Sequence, residues 1–421
     1  MKLCVLGGSS VHTPALIEAL GKRGWTRFTE ISLFGQDQRK LEAIGTFCMH
    51  RVEQYSINCK VSWSNRADVA LDGSSAVLNQ MRVGGMDAGI EDRINLAGSG
   101  FVAHAASYAE ALRLLPALGR LLPAIRKRAA DALLVNFSNP VSAACEYLAT
   151  ETDQNIVGLC YHTTLARSHF AKYLDVDASD LHIETFGINH VSFITDVVVF
   201  GESRMGELKT KIISQRDKDY NYDRILSADA IPISHAYSLF RTGERWYVRQ
   251  DGIRESLRNV ILHFTRLDLS TLRKEKKVRE RAFEDILSGK QEVVAELAKA
   301  APWYDKTIVP FLFDYFGNGS GEHTVTVRHP SERPAETGGW TAEYSSIVSN
   351  GAILPQAFKR SPSNSAMSQL RRVVRSETKL VAAIRAQSLD EAISALLIHP
   401  NVYSRVHAER FLRNYFPLAG C

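Results

Sequence analysis

Lys2-Leu3-Cys4-Val5-Leu6-Gly7-Gly8-Ser9-Ser10-Val11-His12-Thr13-Pro14-Ala15-Leu16-Ile17-Glu18-Ala19-Leu20 opens the chain and decides how the rest is read. Leu3 to Leu6 is an apolar run of strand length, and Gly7-Gly8-Ser9-Ser10 is a turn. The segment from Thr13 reads as a helix, with Thr13 suited to the N-cap and Pro14 to the first turn, where a missing N–H does no harm. Glu30-Ile31-Ser32-Leu33-Phe34 follows as a second strand, ending at Gly35. Strand, glycine turn, helix, strand is the opening of a dinucleotide-binding fold. The backbone N–H groups of Gly7, Gly8, Ser9 and Ser10, with the helix N-terminus behind them, suit a pyrophosphate. The turn alone says little, because many such units carry two glycines and bind nothing, and the full G-x-G-x-x-G spacing is lacking. The acid expected after the second strand is replaced by Gly35, which leaves Asp37 as the candidate for the ribose. NAD is the expected cofactor, with NADP the alternative because Arg39 and Lys40 follow Asp37.

Outward from this start, short apolar strands are predicted at Ala76 to Leu78, Ala132 to Val135 and Ile156 to Leu159, with a helix over Ala109 to Arg128. Strands alternating with helices imply a parallel sheet covered on both faces. Residues 1–165 are therefore expected to form a Rossmann-type, doubly wound α/β domain. After Cys160 the pattern changes: His182 to Phe200 reads as antiparallel strands, followed by charged helical segments and by helices over Met367 to Pro400. Residues 166–421 form the expected second, α+β domain, with Arg328 to Ser365 read as loops because it is rich in Pro, Gly and Ser.

At 421 residues the chain is too long for one ordinary core, and its 45% apolar and 23% charged residues are globular values. A formal charge of +5 is small. The densest basic stretch, Arg273 to Arg281, contains Glu275 and Glu280 and no interleaved aromatic residues, which argues for a solvated helix face and against a nucleic-acid surface. The six cysteines show no C-x-x-C pair and no framework spacing. No apolar run reaches membrane length and none opens the chain as a leader, so a soluble, cytoplasmic protein without nucleic-acid or membrane partners is expected.

Further landmarks recur in order. They are Gln80-Met81-Arg82-Val83-Gly84-Gly85, Asn136-Phe137-Ser138-Asn139-Pro140, Gly158-Leu159-Cys160, Gly187-Ile188-Asn189-His190 and Ala395-Leu396-Leu397-Ile398-His399-Pro400. Together with Val5 to Leu16 they resemble glycoside hydrolase family 4, the NAD- and manganese-dependent 6-phospho-glucosidases, α-galactosidases and α-galacturonidases. The resemblance spans almost the whole chain, and it implies a second domain of the lactate/malate-dehydrogenase kind. It also implies a sugar or sugar-phosphate substrate and a reaction outside the two-carboxylate scheme of most glycosidases; a homo-oligomer (dimer or tetramer) is expected, compatible with a helical second domain carrying long charged segments. In that reaction the cofactor takes hydride from C3 of the sugar, a tyrosine removes the acidified C2 proton, the aglycone is eliminated, water adds, and hydride returns. A divalent metal, Mn²⁺ or a similar ion, stabilises charge on the C2 and C3 oxygens.

Residue by residue, the resemblance makes Cys160 and His190 the metal ligands. Asn139, and with it Asn136, falls at the nicotinamide and sugar. Asn189 orients His190 or binds hydroxyls, and Arg82 meets an anionic substituent such as a 6-phosphate. Taken alone, Cys160 would be a packed strand-end thiol and Arg82 a surface ion pair. The chain also departs from the family. Tyr161 stands where an Asn or Asp is usual, and by position it is a catalytic candidate. Gly100 to His104 lacks an expected acid, and the late asparagine- and glycine-rich segment is not recognisable in Val325 to Ser349. The base is expected at Tyr237, or at His235 in a shifted register. These departures keep two rivals open: a non-hydrolytic NAD(P)-dependent sugar or hydroxy-acid oxidoreductase on the same scaffold, and a catalytically inactive sensor.

Overall fold

The computed structural model describes residues 1–24, 27–99, 104–215, 230–234, 253–328, 341–356, 363–402 and 404–416. Six parallel strands run through its N-terminal part: β1 (Lys2–Leu6), β2 (Glu30–Phe34), β3 (Lys60–Ser64), β4 (Ala76–Asn79), β5 (Leu133–Asn136) and β6 (Ile156–Leu159). They lie in the order β3-β2-β1-β4-β5-β6, the doubly wound arrangement, whose direction reverses beside β1. Alternate side chains of these strands enter opposite cores. Cys4, Leu6, Phe34, Val77 and Leu134 face one; Leu3, Val5, Ile31, Leu33, Leu78 and Val135 face the other. With both faces covered, β1, β4, β5 and β6 read as nearly unbroken apolar runs, whereas the edge strand β3 alternates apolar Val61 and Trp63 with polar residues.

One face is covered by α1 (Thr13–Lys22) and α2 (Gln38–Gln54), with later segments from the second half of the chain. The other is covered by α5 (His104–Arg128) and α6 (Val141–Glu151), joined by the closing helices α12 (Asn364–Ala386), α13 (Leu389–Ile398) and α14 (Arg405–Leu412). The C-terminal helices thus complete the core of the first domain. The expected helical cap moves by one residue: α1 begins at Thr13 with His12 as its N-cap, and Pro14 lies in the first turn. The Thr13 hydroxyl is turned instead to the Gln80 amide, which donates to it at 3.1 Å.

The sheet does not stop at β6. β11 (Ser320–Arg328) pairs antiparallel with it, then β12 (Thr341–Ser349), β7 (Leu181–Ile188), β8 (Val191–Val199) and β10 (Ile231–Ser234) continue the same sheet. One sheet therefore crosses the boundary expected near residue 165. The expectation of loops over Arg328 to Ser365 is corrected here: β12 is a central strand, with β13 (Ala352–Pro355) hairpinned to it and α12 starting at Asn364. The polar composition of β12 misleads because its Glu343, Ser345 and Ser346 are buried and satisfied by hydrogen bonds. Among the described residues no helix is long and apolar enough to cross a membrane.

Candidate active site

The carboxyl ends of β1, β4, β5 and β6 stand side by side, and four of the sequence landmarks sit at these ends and the turns that leave them: the Gly7 turn, Gln80 to Gly85, Asn136 to Pro140 and Gly158 to Cys160. At about 4.8 Å per strand, β1 and β6 are about 14 Å apart, on the scale of half a dinucleotide. At β1, Gly7 adopts φ +85°, and both Gly7 and Gly8 donate their N–H groups to the Phe34 carbonyl, at 3.0 and 2.8 Å. A β-carbon on Gly7 would meet the Met81 and Gln80 backbone at 3.0–3.1 Å. With the Gly7, Gly8 and Ser10 N–H groups spent inside the turn, what it offers a dinucleotide pyrophosphate is close backbone approach and the N-terminus of α1 behind it. Gln80 locks this turn in place: its amide donates to the Gly7 carbonyl, and its Oε1 accepts from the Tyr304 hydroxyl at 2.6 Å. Tyr304 opens a π-helix (Tyr304–Ile308), a winding often kept at functional sites.

The absence of an acid after β2 has a steric cause. A β-carbon at Gly35 would lie 2.7 Å from the Ser9 hydroxyl oxygen, so Ser9 occupies the space a longer residue would need. Asp37 is the N-cap of α2: its Oδ1 accepts from the Lys40 N–H at 3.0 Å, and the Lys40 ammonium lies 3.6 Å from Oδ2. Its carboxylate is exposed but already committed to the helix.

Asn136 is 0% exposed. Its Oδ1 accepts from the Asn79 amide at 2.7 Å, and its Nδ2 donates to the Ser138 carbonyl at 3.0 Å. The expected cofactor contact is replaced by a clamp that joins the ends of β4 and β5. Asn139, by contrast, is exposed on the same edge, joined to Pro140 by a cis bond. Arg82 is exposed on the turn after β4 and lies over Gly89.

At the end of β6 the chemistry concentrates. Cys160 is the N-cap of α7 (Tyr161–Leu174), and His162 lies in that helix's first turn. His190 arrives from the hairpin between β7 and β8, held at φ +67°, a strained conformation for a residue with a β-carbon. The thiol and one nitrogen of each imidazole lie within 4.8 Å of one another, and the two rings are tilted by 56° with centroids 4.5 Å apart. One sulfur and two imidazole nitrogens at this separation are a fitting donor set for a divalent transition metal. Sequence reading singled out Cys160 and His190 and passed over His162, although the C-x-H spacing after a strand was there to be used.

Behind the cluster, Asn189 is buried and ties three elements together. Its Oδ1 accepts from the Val141 N–H at 3.2 Å and its Nδ2 donates to Glu343 Oε1 at 3.1 Å. Burial pushes the Cys160 thiol up to about 12, with nearby Glu343 adding to the rise; the N–H groups of His162 and Tyr161 and the Asn189 side chain oppose it. Burial also raises Glu343, against hydrogen bonds from Asn189 and Ser192. Glu343 was not foreseen, because it lies on the strand read as loop. Tyr161 is partly buried at the first position of α7, and burial raises its phenol above its usual value. Tyr237 and His235 lie outside the described residues.

This is a Rossmann-type α/β fold with a lactate/malate-dehydrogenase-like extension and a thiol–imidazole cluster at its switch-point edge. The family model described as "Family 4 glycosyl hydrolase" matches residues 2–176. The 6-phospho-beta-glucosidase of Escherichia coli K12 is 22% identical over 98% of this chain and 94% of its own length. The solved 6-phospho-beta glucosidase of Thermotoga maritima with manganese, NAD+ and glucose-6-phosphate superposes with a TM-score of 0.80 at 20% identity, over 99% of this chain and 98% of that one. Malate dehydrogenase from Plasmodium falciparum superposes with a TM-score of 0.51 at 11% identity, over 91% and 99%. Over residues 2–176 the chain matches that family model, and over nearly its whole length it shares the fold of the solved 6-phospho-beta glucosidase.

Proposed function

We propose that this chain is an NAD- and divalent-metal-dependent glycosidase acting on a sugar phosphate. It cleaves by oxidation at C3, proton removal at C2 and elimination of the aglycone. The observation that carries the proposal is the convergence of Cys160, His162 and His190 on the sheet edge that also bears the Gly7 turn and Asn139. When bound, the cofactor accepts and returns a hydride, and the metal supplies Lewis-acid stabilisation to adjacent sugar oxygens. Cys160 and His190 hold the metal, and Asn189 keeps the hairpin carrying His190 against α6. The Gly7 to Ser10 turn and the α1 N-terminus take the pyrophosphate, with Asp37 on the ribose side. Asn139 borders the sugar, and the exposed Arg82 offers its guanidinium to a 6-phosphate. Tyr237 or His235 removes the C2 proton, and Tyr161 stands where α-specific relatives keep an acid. The free cysteines among the described residues, with Cys4, Cys48 and Cys145 buried, support a reducing, cytoplasmic setting. Self-association as a dimer or tetramer belongs to the same proposal.

The test is a panel of 4-nitrophenyl glycosides, with and without a 6-phosphate, assayed with and without NAD+ and a divalent metal, Mn²⁺ or Zn²⁺. Nitrophenol release that requires both additives is expected. Accumulation of NADH without nitrophenol would assign the chain to the non-hydrolytic oxidoreductases.

A further inference from the structure

We propose that His162 is a third protein ligand, so that Cys160, His162 and His190 together form a four-coordinate site that prefers zinc-class ions to manganese. The proposal shares with the functional reading only the place of the metal.

Three observations carry it. The donor atoms of all three residues fall within 4.8 Å of one another, whereas ligands of a tetrahedral ion with bonds of about 2.0–2.3 Å lie about 3.3–3.8 Å apart. Small side-chain rotations close that difference. The imidazoles meet tilted rather than face to face, which lets one nitrogen of each point at a common centre with the sulfur. The three also come from two independently fixed elements. Cys160 and His162 are held by the strand-to-helix turn at α7, and His190 by a hairpin tip in a backbone conformation that needs outside support.

The donor set decides the metal. One thiolate and two imidazoles are soft to borderline donors, and none of the three is an oxygen, the donor Mn²⁺ favours. Three protein ligands with one remaining position is the arrangement of open tetrahedral zinc sites. With Cys160 and His190 alone, most of the coordination shell would be left to water and substrate oxygens, which suits manganese. With His162 added, one exogenous oxygen completes a tetrahedron. His162 is exposed and stands in the first turn of α7, two residues after Cys160.

The experiment uses the full-length apoprotein, without NAD+ or sugar, titrated with Zn²⁺, Mn²⁺ and Co²⁺ against a chromophoric chelator. The expected result is Zn²⁺ binding at least about 100-fold tighter than Mn²⁺. Bound Co²⁺ should show a thiolate charge-transfer band and the strong visible bands of a four-coordinate ion. His162→Gln should weaken Zn²⁺ at least about tenfold and reduce the visible bands while keeping the charge-transfer band. Cys160→Ser should remove that band. X-ray absorption of the zinc-loaded wild type, which needs no variant, should count one sulfur and two imidazoles. A single imidazole, Mn²⁺ binding as tight as Zn²⁺, no binding at all, or a His162→Gln protein with unchanged affinity and spectrum would each overturn the proposal. Absence of glycosidase activity alongside the expected metal data would instead remove the functional reading and leave this one standing.

Discussion

Replacing Asn189 by alanine removes a side chain that is 1% exposed and satisfies groups on two other elements at once. Helix α6 has Pro140 at its N-cap, a residue with no side chain to offer, so the Val141 N–H takes Asn189 Oδ1 as its acceptor at 3.2 Å from another part of the fold. The opposite end of the same amide donates to Glu343 Oε1 at 3.1 Å, and Glu343 is itself 2% exposed. Truncation leaves one buried donor and one buried acceptor short of a partner. At about 1–3 kcal/mol each, the loss comes to about 2–6 kcal/mol of global stability. Urea unfolding of the apoprotein at pH 7 should show it as a lower midpoint with an unchanged slope. Metal affinity should fall as well, by about 10–100-fold, because the hairpin that carries His190 loses its tether. Pairing the change with Glu343→Gln should give a coupling energy above about 0.5 kcal/mol, since the two groups touch. Stability within about 0.5 kcal/mol of wild type, with unchanged metal affinity, would refute this assignment of Asn189.

The remaining predictions concern the turn and two titrating clusters. Gly8→Ala puts a β-carbon 2.6 Å from the Leu33 β-carbon and 2.9 Å from its α-carbon, so β1 and β2 must part and NAD+ affinity should fall steeply by calorimetry. Burial lifts Glu377 to about 8, above its unfolded value, so the native state holds an extra proton between about pH 4.5 and pH 8. Stability should therefore decline as pH rises through that window, by at most about 1.4 kcal/mol per unit, and Glu377→Gln should flatten the decline in urea titrations. His182 is raised chiefly by its hydrogen bond to Glu322, whereas Glu322 is lowered overall because His182 and Arg167 outweigh its burial. The histidine's contribution is present below its unfolded value near 6.5 and lost as pH rises through its raised folded value. The glutamate's is present above its unfolded value near 4.5 and lost on acidification. Their joint contribution should peak between those limits and vanish in Glu322→Gln, as NMR titration of His182 with parallel unfolding would report.

The parts of the fold visible in the sequence are those where burial leaves no choice. Leu3 to Leu6, Leu133 to Val135 and Ile156 to Leu159 are apolar at every position because helices cover both faces, and the Gly7-Gly8 turn marks where the first helix must begin. β12 was hidden because Glu343 and Ser345 are satisfied by partners distant in the chain, which no local window contains. Asn136 shows the same limit from the other side. Its motif marks the site edge, but only the fold reveals that Asn79 and Ser138 already occupy its amide. Cys160 and His190 are 30 residues apart in sequence and meet because β7 returns beside β12 and β11, next to β6. His162 needed no such crossover, and its spacing from Cys160 was legible from the start.

The most direct test of the central claim is turnover of a hydrolysed 6-phospho-glycoside in D2O with NAD+ and metal, followed by NMR of the sugar product. Cleavage through C2 deprotonation predicts deuterium at C2 of the released sugar phosphate, in step with aglycone release. Release of the aglycone with C2 still fully protonated would contradict the account.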